Sequence, residues 1–94
     1  MALLGMQYDD TASGIYEPSE AIPANTYKDY SISFGRTFGS IPSVIANVLG
    51  YFNPATEIIG PLITSITASA FSVRVVNKYS SPLTPKISWI AIGK

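Results

Sequence analysis

The sequence predicts an all-β fold, a sandwich or barrel built from short antiparallel strands. Apolar and polar residues alternate with a period of two through most of the chain, and β-branched and aromatic residues are frequent in the alternating segments, as in half-buried strands. Proline or glycine interrupts the alternation about every dozen residues, which is the turn spacing of sandwiches and barrels. No window has the periodicity of an amphipathic helix.

The composition predicts that this domain associates with copies of itself. The chain has 94 residues, enough for one domain whose own core provides little net stability. It contains neither Cys nor His, which excludes disulfides and Cys/His metal sites. Charged residues make up 13% of the chain, where about 25% is usual. A surface so poor in charge is typical of one partly covered by a partner, although a low-charge monomer is the alternative.

The same counts disfavour several classes of function. A net charge of zero argues against nucleic-acid binding, and no apolar stretch is long enough to insert into a membrane. The close carboxylate pairs, Asp9 with Asp10 and Glu17 with Glu20, lie in a polar segment and are predicted to be solvated. No cofactor or catalytic motif is present. We therefore expect no enzyme activity and no cofactor.

The first 27 residues differ from the rest and are predicted to form a separate segment. Residues 1–8 include the apolar residues Ala2, Leu3, Leu4 and Met6, and we expect an edge strand or an attachment peptide there. Residues 9–27 contain two prolines, several small polar residues and four acids, so we expect a long ordered loop or an arm rather than a strand. Residues 28–94 are predicted to form the sandwich core.

Five segments of the predicted core have the strand pattern. They are YSISF at 30–34, PSVIANVLG at 42–50, the stretch 58–66, AFSVRVVN at 70–77 and KISWIAIG at 86–93. Gly60 and Pro61 are expected to break or bulge the third of these strands. Trp89 alternates in phase with Ile87 and Ala91, so we expect it in the core.

Two of these strands are apolar on both faces, which predicts a covered outer face. An antiparallel sheet usually keeps one face polar. The second and last segments instead have apolar residues at successive positions, so one apolar set must point away from the core. A neighbouring subunit is the simplest cover. The predicted interface residues are Ile45, Leu49, Ile90 and Ile92.

Aromatic residues in predicted loops are candidates for contact with a glycan or a partner protein. They stand beside amide side chains, and a tyrosine offers apolar area together with a polar hydroxyl. The alternative is that these rings only fasten the loops to the ends of the sandwich. The candidates are Tyr51, Phe52, Asn53, Asn77, Lys78 and Tyr79.

The order of the motifs resembles a known family. A strand ending at Phe34 precedes a turn from Phe38 to Pro42, and the chain closes with ISWIAIG at 87–93. Between them lie a Val-rich strand at 44–48 and the stretch 67–71, where Ala70 replaces the family's usual Gly. About two-thirds of the chain thus resembles the H-type lectin domain, especially its phage relatives in tail-fibre and baseplate proteins.

The resemblance implies a six-stranded antiparallel β-sandwich that trimerises through its sheets. In the animal lectins of this family an Arg and an aromatic–His pair hold the sugar. The matching positions here are Ile58, Lys78 and Tyr79, so neither the Arg nor the His is present. We therefore do not expect the sugar specificity of the animal lectins, although Tyr79 retains a ring that can stack on a sugar.

The resemblance also implies a role in a phage virion, made in the host cytoplasm. The expected function is a trimeric lectin-like module of a tail fibre or baseplate, for host-surface attachment or virion assembly. The expected partners are further copies of the chain, other virion proteins and a host cell-surface glycan. The alternative is a capsid decoration (cement) protein of the same fold without glycan binding. A secreted lectin is less favoured because the N-terminus lacks the basic region of a signal peptide.

Overall fold

The computed structural model describes residues 10–49 and 58–94, and this part of the chain forms two three-stranded β-sheets. The strands are β1 (Asp10–Tyr16), β2 (Thr26–Ser33), β3 (Ser43–Leu49), β4 (Ile58–Ile66), β5 (Ala70–Asn77) and β6 (Lys86–Gly93). The predicted all-β class, with six antiparallel strands, is confirmed. The N-terminal strand or attachment peptide predicted at 1–8 lies outside the described residues.

Each sheet is organised around a strand from the C-terminal half of the chain. The first sheet has the order β1-β6-β3 and the second has the order β2-β5-β4. All neighbouring strands run antiparallel. Trp89 at the middle of β6 pairs with Gly14 on one side and with Ala46 on the other. In both central strands, β5 and β6, buried residues alternate strictly with residues that are less buried.

The core lies between the sheets and is centred on a group of aromatic rings. Ring centroids of Phe34, Phe71 and Trp89 lie 5.5 to 5.7 Å apart, so residues from both sheets meet there. Such contacts add to the stabilisation that comes from burying the rings. The core position predicted for Trp89 is confirmed. The buried apolar residues are Ile22, Tyr30, Ile32, Phe34, Phe38, Phe71, Val73, Val75, Ile87, Trp89 and Ala91.

Strand β1 shows that the prediction of a loop across residues 9–27 was wrong. Residues 10–16 pair with β6 along their whole length, and β2 begins inside the predicted loop, at Thr26. Gly14 lies flat against the indole, since a Cβ added there would come within 3.2 Å of Trp89 Cζ2. The small residues that made the segment resemble a loop thus let the backbone approach a large ring. Strand β1 depends on contacts between distant parts of the chain.

Strand β4 contains the irregularity that its glycine and proline predicted. The pairing of β4 with β5 shifts in register between Ile59 and Leu62. Gly60 has φ +120°, and a Cβ there would lie 2.7 Å from the carbonyl oxygen of Arg74. Only glycine fits this backbone without displacing β5. The predicted bulge is confirmed.

Candidate interaction surfaces

The outward side of the β1-β6-β3 sheet is a surface with several large apolar residues and little charge, here called the isoleucine face. It is defined by the exposed or half-buried residues Ile15, Ile45, Leu49, Ile90 and Ile92. Ile45 lies directly across from Ile90, and their side chains remain 61% and 39% exposed. Serine, threonine and asparagine occupy most of the other outward positions. Lys86, at the start of β6, is the one charged residue among the outward positions of these three described strands.

All four interface residues predicted from the sequence lie on the isoleucine face. Ile45 and Leu49 point outward from β3, and Ile90 and Ile92 point outward from the adjacent β6. Ile45 and Ile90 are direct cross-strand partners, and an exposed apolar pair of this kind is typical of a surface that a partner protein covers. Sequence alternation therefore placed these residues on one surface correctly. Their role in a trimer stays a prediction.

The outward side of the β2-β5-β4 sheet has a different character, and we call it the arginine face. It is defined by Tyr27, Asp29, Ile59, Leu62 and Arg74, with Arg74 on the central strand. Arg74 Nε and Nη2 donate hydrogen bonds to Asp29 Oδ1 and Oδ2, at 2.8 and 3.1 Å. The guanidinium carbon also lies 4.1 Å from the centre of the Tyr27 ring. Arg74 is thereby held in one orientation by a bidentate ion pair and a cation–π contact.

The ion pair fixes the charges of the arginine face. The hydrogen bonds from Arg74 hold the pKa of Asp29 below its ordinary value, although burial opposes this shift. The same hydrogen bonds raise the pKa of Arg74. Both groups therefore stay charged over the whole range in which proteins normally work. Sequence reasoning missed this cluster because Asp29 and Arg74 are 45 residues apart and become neighbours only through the β2–β5 register.

The structure describes three of the six residues of the predicted loop site, and two of these three are exposed. Tyr51, Phe52 and Asn53 lie outside the described residues. Just after β5, Lys78 is exposed and Tyr79 is 37% exposed. Asn77, by contrast, is fully buried. The expectation that the Asn77 amide is available to a glycan or partner was therefore wrong.

Asn77 instead joins three segments at one end of the sandwich. Its Nδ2 group donates to the carbonyl oxygens of Ile22, at 3.0 Å, Pro23, at 3.3 Å, and Ser81, at 3.0 Å. Its Oδ1 accepts a hydrogen bond from the Tyr79 amide at 2.7 Å. A buried amide satisfied in this way stabilises the fold. Strand alternation could have revealed this role, because position 77 follows 71, 73 and 75 on the inner face.

The remaining ion pairs connect the first residues of the described chain to the sandwich. Arg36 Nη2 lies 3.1 Å from Asp10 Oδ2, and Lys28 Nζ lies 2.9 Å from Glu20 Oε1. Arg36 also lies over Phe38, 5.0 Å from the ring centre. Asp10 and Glu20 are thus surface carboxylates with basic partners, and the hydrogen bond from Lys28 lowers the pKa of Glu20. Within residues 10–49 and 58–94, no three acidic residues gather as a metal site would require.

One buried polar atom has no partner in the part of the chain that the structure describes. The hydroxyl of Tyr30 lies in the interior without a hydrogen bond, and the Tyr30 ring is 5.4 Å from that of Tyr16. Burial and the proximity of Tyr16 raise the pKa of Tyr30. Because this hydroxyl is buried without a hydrogen bond, it lowers the stability of the packing between the two sheets.

The fold is similar to that of a known tail-fibre protein. The chain matches the solved structure of an N-truncated R1-type pyocin tail fibre with a TM-score of 0.73 and 17% sequence identity. The match covers 89% of this chain and 70% of that chain. No family model and no curated protein matches the sequence. The described residues include no helix with the length and hydropathy of a membrane span.

Proposed function

We propose that this chain is a structural module of a phage or phage-like tail, a trimeric lectin-like domain that contributes to host-surface attachment or to assembly of the particle. The fold similarity to a tail fibre, over most of both chains, is the observation that carries this proposal. The resemblance of residues 28–93 to phage H-type lectin domains supports it independently. The protein would then be virion-associated, with other virion proteins as partners.

The trimeric part of the proposal rests on the isoleucine face. Ile45 and Ile90 form an apolar pair in the middle of a sheet surface that would otherwise face water. Covering such residues contributes about 25 cal/mol for each Å² of apolar area removed from water. A self-made interface also suits a surface with almost no charge, because two copies brought together there meet no like-charge repulsion.

The attachment part of the proposal concerns a host cell-surface glycan. Lys78 and the partly exposed ring of Tyr79 are the described members of the predicted loop site that remain accessible. A single site of this size is weak, but three copies on a trimer, repeated over a particle, bind with avidity. Nothing in this role requires a cofactor or a catalytic group, and we propose that the protein is not an enzyme.

The alternative is a capsid decoration protein of the same fold that binds no glycan. Two observations favour it. Ile58 occupies the position of the sugar-binding Arg in the animal lectins, and Asn77 is committed to hydrogen bonds within the protomer. A trimer seated on a capsid shell would use the isoleucine face in the same way. Position in the particle therefore separates the two functions better than oligomeric state does.

Immunogold labelling of purified particles, with antibodies against the recombinant chain, tests the proposal. Label at the tail fibre or baseplate is the expected result. Label spread over the shell would replace the tail module with the decoration protein. Absence of the chain from purified particles, checked by mass spectrometry, would contradict both functions.

A further inference from the structure

Three rows of side chains cross the outer surface of the β2-β5-β4 sheet, and each row has its own chemistry. The first row is aromatic and aliphatic, the second contains the ion pair, and the third consists of serines. The rows are Tyr27–Val76–Ile59, Asp29–Arg74–Leu62 and Ser31–Ser72–Ser65. Same-face residues on a strand are about 6.7 Å apart, so the three rows span about 13 Å.

The ion pair in the second row keeps unused hydrogen-bonding capacity at the surface. A guanidinium has five N–H donors, and among the residues that the structure describes Arg74 uses two of them, Nε–H and one Nη2–H, both to Asp29. Each carboxylate oxygen of Asp29 retains a further lone-pair direction. Both side chains are partly exposed. Donors and acceptors therefore stand side by side, in an orientation that the contact between Arg74 and Tyr27 already fixes.

The hydrogen-bonding groups of this ion pair, together with the Tyr27 ring, match the chemistry of a sugar. A sugar hydroxyl donates and accepts at the same atom, so it pairs with an adjacent guanidinium and carboxylate. The C–H face of a sugar ring packs on an aromatic side chain, and Tyr27 is 52% exposed. The serine hydroxyls extend the polar contact along the sheet. Because Asp29 already neutralises Arg74, the pair has no net charge to attract the carboxylate of an acidic sugar, so the site favours neutral sugars.

We propose that the arginine face is a binding site for a neutral glycan, with Tyr27 as the stacking surface and the Arg74–Asp29 pair as the hydroxyl-binding group. The inference rests on the attachment role proposed above and gives that role a second, separate site. It also agrees with the proposal that only one of the two sheets is covered by neighbouring subunits. An oligomer that covers the isoleucine face leaves the opposite sheet exposed to a cell surface.

A purely structural ion pair is the competing interpretation, and it predicts a different result. An exposed ion pair contributes little to stability. If the Arg74–Asp29 pair only supports the sheet, its loss changes melting slightly and changes glycan binding not at all. If the pair binds hydroxyls, its loss leaves the fold intact and removes binding. The two measurements on one variant separate the interpretations.

The chain offers a matched control for this experiment. Arg36 also pairs with one aspartate and lies over one aromatic ring, but that ring, Phe38, is buried. Wild-type chain, Arg74→Gln, Tyr27→Ala and the control Arg36→Gln are displayed multivalently on beads. They are then applied to an array of neutral and acidic bacterial polysaccharides and to cells of the host. Circular dichroism melting verifies that each variant is folded.

The expected result is retention of neutral polysaccharides by wild type and by Arg36→Gln. Arg74→Gln and Tyr27→Ala lose at least about tenfold in apparent affinity, the factor for one charge-assisted hydrogen bond or stacked ring. Tyr27→Phe retains binding, because its ring still stacks. Binding that survives in folded Arg74→Gln and Tyr27→Ala, or that prefers acidic polysaccharides, would overturn the site while leaving attachment standing. Failure of the wild type to bind host cells would overturn the attachment role and this site together.

Discussion

The two outer faces of the sandwich differ in whether their side chains have polar or charged partners within the protomer. On the arginine face, Arg74 already has Asp29 and Tyr27 as partners within the protomer. On the isoleucine face, Ile45 and Ile90 have each other and water. Exposed apolar area alone does not distinguish the two faces, because Tyr27 and Leu62 on the arginine face are exposed as well. What distinguishes the isoleucine face is that its central pair, Ile45 and Ile90, has no charged residue paired with it, whereas Lys86 lies at the edge of the face, opposite Leu49.

The largest effect should come from placing a charge on the isoleucine face. In the proposed trimer, Ile90→Asp would bury a carboxylate without a partner at the interface, so we expect this variant not to assemble. Light scattering across a concentration series measures the change. Leu62→Asp is the matched control, because Leu62 is similarly exposed on the opposite face, and it should assemble like the wild type. Equal behaviour of the two variants would remove the distinction between the faces.

A second effect concerns the end of the strand that carries Arg74. Asn77→Ala removes a side chain with four hydrogen bonds and strands buried carbonyl groups. We expect a loss of about 2–4 kcal/mol in the free energy of unfolding. Urea denaturation measures this loss. A loss below about 0.5 kcal/mol, the range of ordinary surface substitutions, would show that the amide network contributes little.

A third effect tests the interior between the two faces. Tyr30→Phe removes the orphaned hydroxyl, and we expect a gain of about 1 kcal/mol in stability at neutral pH. Because the folded pKa of Tyr30 is raised above its ordinary value of 10.0, the folded state holds the proton that the unfolded chain releases. Wild-type stability should therefore be full below pH 10.0 and fall as the pH rises through the folded pKa. Thermal melts of both proteins from neutral to alkaline pH should diverge accordingly.

The smallest effect should come from acidifying the arginine face. The folded pKa of Asp29 is depressed, so its contribution to stability is present above the ordinary pKa of 3.8 and is lost as the pH falls through the folded pKa. Because the pair is exposed, we expect the melting temperature to change by only a few degrees. Arg74→Gln should remove that part of the acid sensitivity. An acid sensitivity unchanged in Arg74→Gln would mean that the pair does not couple to folding.

Sequence alternation predicted the strands that have an alternating pattern of their own. It failed where the structure depends on contact between two distant segments. The period of two groups Ile45 with Leu49 on one face of β3 and Ile90 with Ile92 on one face of β6, and the β3–β6 register then brings these two faces together. Strand β1 has no such signal, because its fit depends on Gly14 meeting Trp89. The Arg74–Asp29 pair likewise depends on the register of two strands, which local sequence does not specify.

Asn77 illustrates a different kind of failure, because its signal was present. An asparagine that precedes a loop usually faces solvent, and this general tendency competes with the inward phase of Phe71, Val73 and Val75. At this end of β5 the alternation predicts an inward side chain and the polarity of Asn predicts an outward one, and the side chain in fact points inward. The hydrogen-bond partners of Asn77, at 22, 23 and 81, are brought to it only by the tertiary fold.

The position of Trp89 gives the protein a built-in optical reporter. It is the only tryptophan in the chain, and its indole contacts Gly14 of the neighbouring strand as well as Phe34 and Phe71 of the opposite sheet. Separation of the sheets would admit water to the ring and shift its emission to longer wavelength. Departure of a neighbouring subunit from the isoleucine face would leave the indole where it is. Fluorescence would therefore follow the integrity of each sandwich independently of how many sandwiches are assembled.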